Sequence, residues 1–205
     1  MVAIIDYDAG NLKSVQKALE HLGAEVCVTR DREVLLKSDH IILPGVGAFG
    51  QAMDNLERYG LVDTIKEVVK RGIPFLGICL GMQLLFESSE ESEGVQGLSL
   101  LPGKIIKIPK MDGLKIPHMG WNSLELRNKA TLFQGLPEHP YVYFVHSYYL
   151  EAKRELDVSA VAEYGTTLHV SVERENLFGC QFHPEKSGEI GLTILKNFLE
   201  VGGKC

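Results

Sequence analysis

The feature that most constrains the fold is a run of short apolar segments separated by helix-spaced residues. Val2–Ile5, Ala24–Val28, His40–Leu43 and Ile73–Ile78 each have strand length. After the first, Leu12, Val15, Leu19 and Leu22 recur at helical spacing and Gly23 supplies a stop. Helical patterns also cover Phe49–Arg58, Leu61–Arg71 and Leu80–Ser88, with Gly72 closing the second. Strands joined through helices cannot be hairpins. They demand parallel pairing with right-handed crossovers, and hence a doubly wound sheet with helices on both faces.

The second half changes character. Ile105–Ile108, Trp121–Leu126, Tyr141–His146, Val158–Tyr164, His169–Glu173 and Leu177–Phe182 read as short strands punctuated by Gly, Pro and Asn. Only Ile190–Val201 is helical in pattern, with Ile190, Ile194, Leu195 and Phe198 on one face. The expected architecture is a three-layer α/β fold, flavodoxin-like and mostly parallel, with an antiparallel extension. Its 205 residues are expected to form one domain, 1–205. The acidic stretch Glu87–Glu93 reads as a solvated helix end and loop.

Charge and hydropathy narrow the function. A net charge of −6 offers no clustered basic face for nucleic acid. No apolar run is long enough to span a membrane, and the N-terminus lacks the basic and apolar regions of a signal peptide, so a cytoplasmic location is expected. Cys27, Cys79, Cys180 and Cys205 show no paired zinc or redox spacing, so neither a metal nor a redox cofactor is expected.

One cysteine stands apart. Gly77-Ile78-Cys79-Leu80-Gly81 lies at a strand-to-helix junction. A nucleophile on such a turn is held in strained backbone geometry, and the flanking glycines remove clashes. The helix N-terminus would favour thiolate at Cys79, and the Leu80 N–H would face a developing oxyanion. A cysteine nucleophile needs a base, and the base an orienting group. Of seven histidines, only His183 ends a strand-like run with an acid two residues on. In Phe182-His183-Pro184-Glu185, Pro184 fixes a turn that can fold the Glu185 carboxylate back onto the imidazole.

Together, Gly77–Gly81 with Met82-Gln83 and Phe182–Glu185 resemble the class-I, triad-type glutamine amidotransferases. Pro44-Gly45-Val46-Gly47-Ala48-Phe49-Gly50, Pro117-His118-Met119-Gly120-Trp121-Asn122 and His183-Pro184-Glu185-Lys186-Ser187 narrow the resemblance to the branch that serves imidazole glycerol phosphate synthase in histidine biosynthesis. The resemblance implies that Cys79 attacks the glutamine side-chain amide, forming a glutamyl thioester and releasing ammonia. His183 would move the protons and Glu185 orient it. The oxyanion hole would use the Leu80 N–H and one beside Gly47, in a loop that Gly45 and Gly47 leave free to reorient.

The resemblance also implies a glutamine pocket at Gly47, Gln83, Ser147 and Tyr148. Glu87, read as one helical turn beyond Gln83, is the expected ammonium partner. The partner would be a separate (βα)8-barrel cyclase subunit in a 1:1 heterodimer, docked through Asn11, Trp121, Tyr143 and Lys186. The alternative is another trans-acting class-I glutaminase, such as the anthranilate synthase small subunit, which is not expected to carry the Pro117–Asn122 segment.

Overall fold

The apolar runs of the first half become parallel strands in the computed structural model, which describes residues 1–127 and 130–202. In chain order the elements are β1 (Val2–Ile5), α1 (Leu12–His21), β2 (Val26–Thr29), α2 (Arg32–Lys37), β3 (His40–Gly45), α3 (Phe49–Arg58), α4 (Leu61–Lys70), β4 (Phe75–Cys79) and α5 (Leu80–Gln83). There follow β5 (Ser88–Ser89), β6 (Gly103–Lys107), β7 (His118–Ser123), β8 (Glu125–Leu126), β9 (Tyr141–His146), β10 (Tyr148–Ala152), β11 (Val158–Glu163), β12 (Thr167–Arg174), β13 (Leu177–Cys180) and α6 (Gly188–Glu200). Strands β2, β1, β3, β4 and β13 lie side by side and parallel, in the flavodoxin-like order. Antiparallel β12, β10 and β6 extend the sheet, while β7 and β9 form a separate two-stranded ribbon.

Alternation along β1 shows why the sheet is sandwiched. Val2 and Ile4 face a core built with Val15 and Leu19 of α1 and Ile194, Leu195 and Phe198 of α6. Ala3 and Ile5 face the opposite core, with Leu56 of α3 and Ile65 and Val68 of α4. Burial on both faces explains the near-continuous apolar runs. The result is the three-layer fold with an antiparallel extension. No helix among the described residues is long and apolar enough to cross a membrane.

Several boundaries differ from the sequence reading. The Leu80–Ser88 helix stops after Gln83, a single turn. Leu84, Leu85 and Phe86 continue as buried residues of a turn, so apolar spacing persists where the helix does not. Glu87–Glu93 is a partly exposed loop rather than a helix end, and three of its carboxylates accept from backbone N–H groups. Glu87 accepts from the Gly103 N–H at 2.9 Å, Glu90 from Lys107 at 2.9 Å and Glu91 from Phe49 at 2.7 Å. Helix α2, capped by the Asp31 side chain on the Val34 N–H at 3.1 Å, and strand β10 are additional elements. Cys180 is fully buried and Cys27 half-buried, while Cys205 lies outside the described residues.

Candidate active site

The carboxyl ends of β3, β4 and β13 converge on one cavity, the position where open α/β sheets bind ligands. It has a volume of about 460 Å³ and is lined by Gly47, Cys79, Gln83, Glu91, Tyr148 and His183, among others. A space of that size accommodates a small metabolite.

Cys79 is the last residue of β4 and sits at φ 55°, ψ −113°, a conformation that costs a residue with a Cβ about 1–3 kcal/mol. Close packing around it sustains that strain. A Cβ on Gly77 would lie 2.7 Å from the Met82 nitrogen, and one on Gly81 would lie 1.8 Å from the Leu43 carbonyl oxygen. The glycines of the turn therefore let helix and strands approach more closely than any side chain permits. Leu80 begins α5, so its N–H has no partner within the helix. A one-turn helix has a weak dipole, so the donors around the sulfur must come from other groups. One is Gln181, whose Nε2 donates to the Cys79 Sγ at 3.7 Å.

His183 follows β13 and is held by main chain at both ends. Its N–H donates to the Tyr143 carbonyl at 3.0 Å, and its carbonyl accepts from the Ser187 hydroxyl at 2.7 Å. A tight turn over Pro184–Lys186 brings the Glu185 Oε1 to 2.9 Å from Nδ1 of His183. Both side chains are buried, at 2% and 1% exposure. Burial opposes the imidazolium, but the adjacent Cys79 sulfur and the Glu185 carboxylate outweigh it and raise the His183 pKa to about 9. Nε2 of His183 lies beside the Cys79 sulfur without a well-formed hydrogen bond to it. Among the described residues it and Glu185 Oε2 are the buried side-chain polar atoms without a partner. An orphaned imidazole nitrogen beside a strained thiol suits transfer of a proton to or from a bound ligand.

The loop after β3 has less freedom than its glycines suggest. Gly45 is a strand residue opposite Cys79. A Cβ there would meet the Tyr7 hydroxyl at 2.6 Å and the Gly81 nitrogen at 2.8 Å. Tyr7 in turn donates to the Pro44 carbonyl at 2.9 Å. Only Val46–Ala48 is exposed, with Gly47 at φ +101° and open space around it. Any reorientation is thus confined to that segment.

Gln83, Ser147, Tyr148 and Gly47 all line the cavity. Glu87 does not. It leaves the helix on which its placement depended, and its carboxylate engages Lys153 at 2.7 Å and the Gly103 N–H. Glu91 lines the cavity instead, with its carboxylate on the Phe49 N–H that begins α3. Within an acidic run nothing local distinguishes Glu91, because its placement is tertiary.

Of the residues expected at a partner surface, Trp121 and Tyr143 lie on the β7–β9 ribbon, Lys186 in the turn after β13 and Asn11 just ahead of α1. Met119, Trp121 and Tyr141 are 62%, 57% and 58% exposed. Strand alternation puts Met119 and Trp121 on the outer face, opposite Val145 and Tyr143, while His118 and Phe144 face inward. Trp121 packs edge-on against Tyr143, with ring centroids 6.1 Å apart. Val145 also lines the cavity, so this apolar face reaches its mouth. Lys186 is exposed and Asn11 half-buried.

Residues 3–201 match the family model for class-I glutamine amidotransferases. The "Imidazole glycerol phosphate synthase subunit HisH" of Moorella thermoacetica is 54% identical over 200 residues, covering 98% of this chain and 94% of the relative. The protein of the same name from Bacillus cereus is 55% identical over 201 residues, covering 98% and 95%. Among solved structures, a glutamine amidotransferase aligns with a TM-score of 0.76 at 22% identity, covering 98% of each chain. PurLQS from Thermotoga maritima aligns at 0.75 and 21%, covering 97% of this chain and 96% of the other. At that identity these two structures speak for the fold alone.

Proposed function

Because the chain belongs to the class-I glutamine amidotransferase family and to its HisH branch, we propose that this site hydrolyses glutamine and delivers the ammonia to a cyclase subunit of imidazole glycerol phosphate synthase. The observation that carries this reading is the Cys79–His183–Glu185 geometry at the floor of a metabolite-sized cavity.

In this reading the Cys79 sulfur attacks the side-chain amide carbon of glutamine. The oxygen gathers negative charge toward the Leu80 N–H and a second N–H beside Gly47. The C–N bond breaks as His183 gives its Nε2 proton to the departing nitrogen, leaving ammonia and a glutamyl thioester. His183 then takes a proton from water, which attacks the thioester and releases glutamate and the Cys79 thiolate. Glu185 holds the imidazole and supports its positive charge before the first proton transfer and again once water has given up its proton. Gln83, Ser147 and Tyr148 hold the backbone end of glutamine, and Glu91, in place of Glu87, pairs with its ammonium group.

Ammonia released into water is protonated and lost, so productive use requires a docked acceptor. The exposed Met119–Trp121 face reaches the cavity mouth and fits that need. The acceptor in this reading is a (βα)8-barrel cyclase in a 1:1 complex, meeting Trp121, Tyr143, Lys186 and Asn11 in the cytoplasm. The test is glutamate formation from glutamine by the pure chain, alone and with a cyclase subunit and its nucleotide substrate. Turnover that rises in the loaded complex supports the reading. Absence of glutamate formation in every arm rejects it.

A further inference from the structure

A buried chain of hydrogen bonds runs from the β7–β9 ribbon to the Cys79 sulfur, and its chemistry leaves each member one orientation. It turns on the Tyr148 carbonyl, which can only accept. That oxygen meets His146 Nδ1 at 2.9 Å and Gln83 Nε2 at 3.1 Å. The first contact makes His146 the Nδ1–H tautomer, so its Nε2 accepts from His118 Nδ1 at 2.9 Å. His118 Nε2 then accepts from the Asn122 amide at 3.3 Å. Burial lowers the pKa of His146 to about 3 and of His118 to about 4, so both are neutral at pH 7 and keep those roles.

The second contact fixes Gln83 with its amide nitrogen toward Tyr148. The other hydrogen of that nitrogen goes to Gln181 Oε1 at 2.9 Å. With its oxygen committed, Gln181 must turn Nε2 toward Cys79. Gln181 has no exposed surface, so water cannot substitute for either contact. The sulfur therefore faces a donor that cannot flip.

We propose that Gln181 is a positioning residue for Cys79, holding the sulfur through a hydrogen bond that strengthens whenever the sulfur carries negative charge. An N–H to a neutral thiol is weak, whereas the same contact to a thiolate is charge-assisted. The contact thus favours the attacking sulfur before the thioester forms and the departing sulfur when it breaks. The proposal rests on the reading of Cys79 as nucleophile and adds a group outside the triad.

Two variants in the full-length chain separate this role from simple packing. Gln181→Met keeps volume but removes both polar contacts. Gln181→Glu keeps the shape and the acceptor facing Gln83, but puts carboxylate oxygen where the donor stood. Alkylation of Cys79 by iodoacetamide, followed on the Cys79 peptide by mass spectrometry, is expected to slow roughly tenfold in Gln181→Met and further in Gln181→Glu. Glutamine kcat should fall in the same order, with KM within about twofold. A residue that only fills space leaves alkylation in Gln181→Met at the wild-type rate, because Met keeps the volume. That rate, or wild-type alkylation in Gln181→Glu, overturns the proposal. If Gln181→Met does not fold, the Glu variant against wild type decides. Alkylation needs no glutamine, so its outcome is independent of the nucleophile assignment, which Cys79→Ala tests by glutamine hydrolysis.

Discussion

Replacing Glu185 with glutamine isolates charge from geometry at the His183 site. In Glu185→Gln the side-chain amide oxygen still accepts from Nδ1, so the imidazole keeps its orientation while the negative charge disappears. In the wild type, the neighbouring sulfur and carboxylate raise His183 from 6.5 to about 9 despite its burial, so the charged ring stabilises the fold. Because the folded-state pKa is the higher one, that stability is complete below pH 6.5 and is lost as pH rises through about 9. The carboxylate, at 2.9 Å and almost fully buried, is one of the two groups sustaining the rise, and exchanging its charge-assisted bond for a neutral one costs about 1–2 kcal/mol. The titration midpoint of His183 should therefore fall by about one unit or more. The stability lost between pH 6.5 and 9 should shrink with it. An NMR titration of the ¹⁵N-labelled imidazole, with denaturant unfolding across the same pH range, reads both effects. Glutaminase kcat of the cyclase complex should drop roughly tenfold, less than for His183→Asn. An unchanged His183 midpoint in Glu185→Gln would refute the assignment of the shift to this carboxylate.

Three further outcomes follow from the geometry. Gly45→Ala should cost about 1–3 kcal/mol in denaturant unfolding and most of the glutaminase activity, since its Cβ would fall 2.6 Å from the Tyr7 hydroxyl and 2.8 Å from the Gly81 nitrogen; full stability would show that the elbow packs more loosely than those distances require. Glu91→Gln should raise KM for glutamine about tenfold with a smaller effect on kcat, and an unchanged KM in steady-state assays would remove Glu91 from the ammonium site. Trp121→Ala should weaken cyclase binding by about thirtyfold or more in calorimetric titration while leaving the melting temperature unchanged, because the ring is 57% exposed.

Much of this is legible in residue pattern, for identifiable reasons. Strands buried on both faces, such as Val2–Ile5 and Ile41–Leu43 of β3, announce themselves as unbroken apolar runs. The elbow at Cys79 and the turn at Pro184 are local features, so their glycines and proline mark them directly. What escapes is tertiary or short. Leu84 and Leu85 keep helical spacing because they are buried, not because they are helical, and the pattern misplaces Glu87 along with them. Glu91 and Gln181 become site residues only when distant segments meet at Phe49 and at Gln83. Helix α2 has six residues, too few for periodicity to register, although Asp31 ahead of it is an N-cap signal.

The proposed mechanism requires a covalent glutamyl intermediate on Cys79. It is tested most directly by rapid acid quench of the wild-type chain, assembled with cyclase and turning over glutamine, followed by mass spectrometry of the Cys79 peptide. A glutamyl adduct is expected on that peptide and none in Cys79→Ala, whose complex should still accept free ammonia for the cyclase reaction. Sustained glutamate production by Cys79→Ala at the wild-type rate would contradict it.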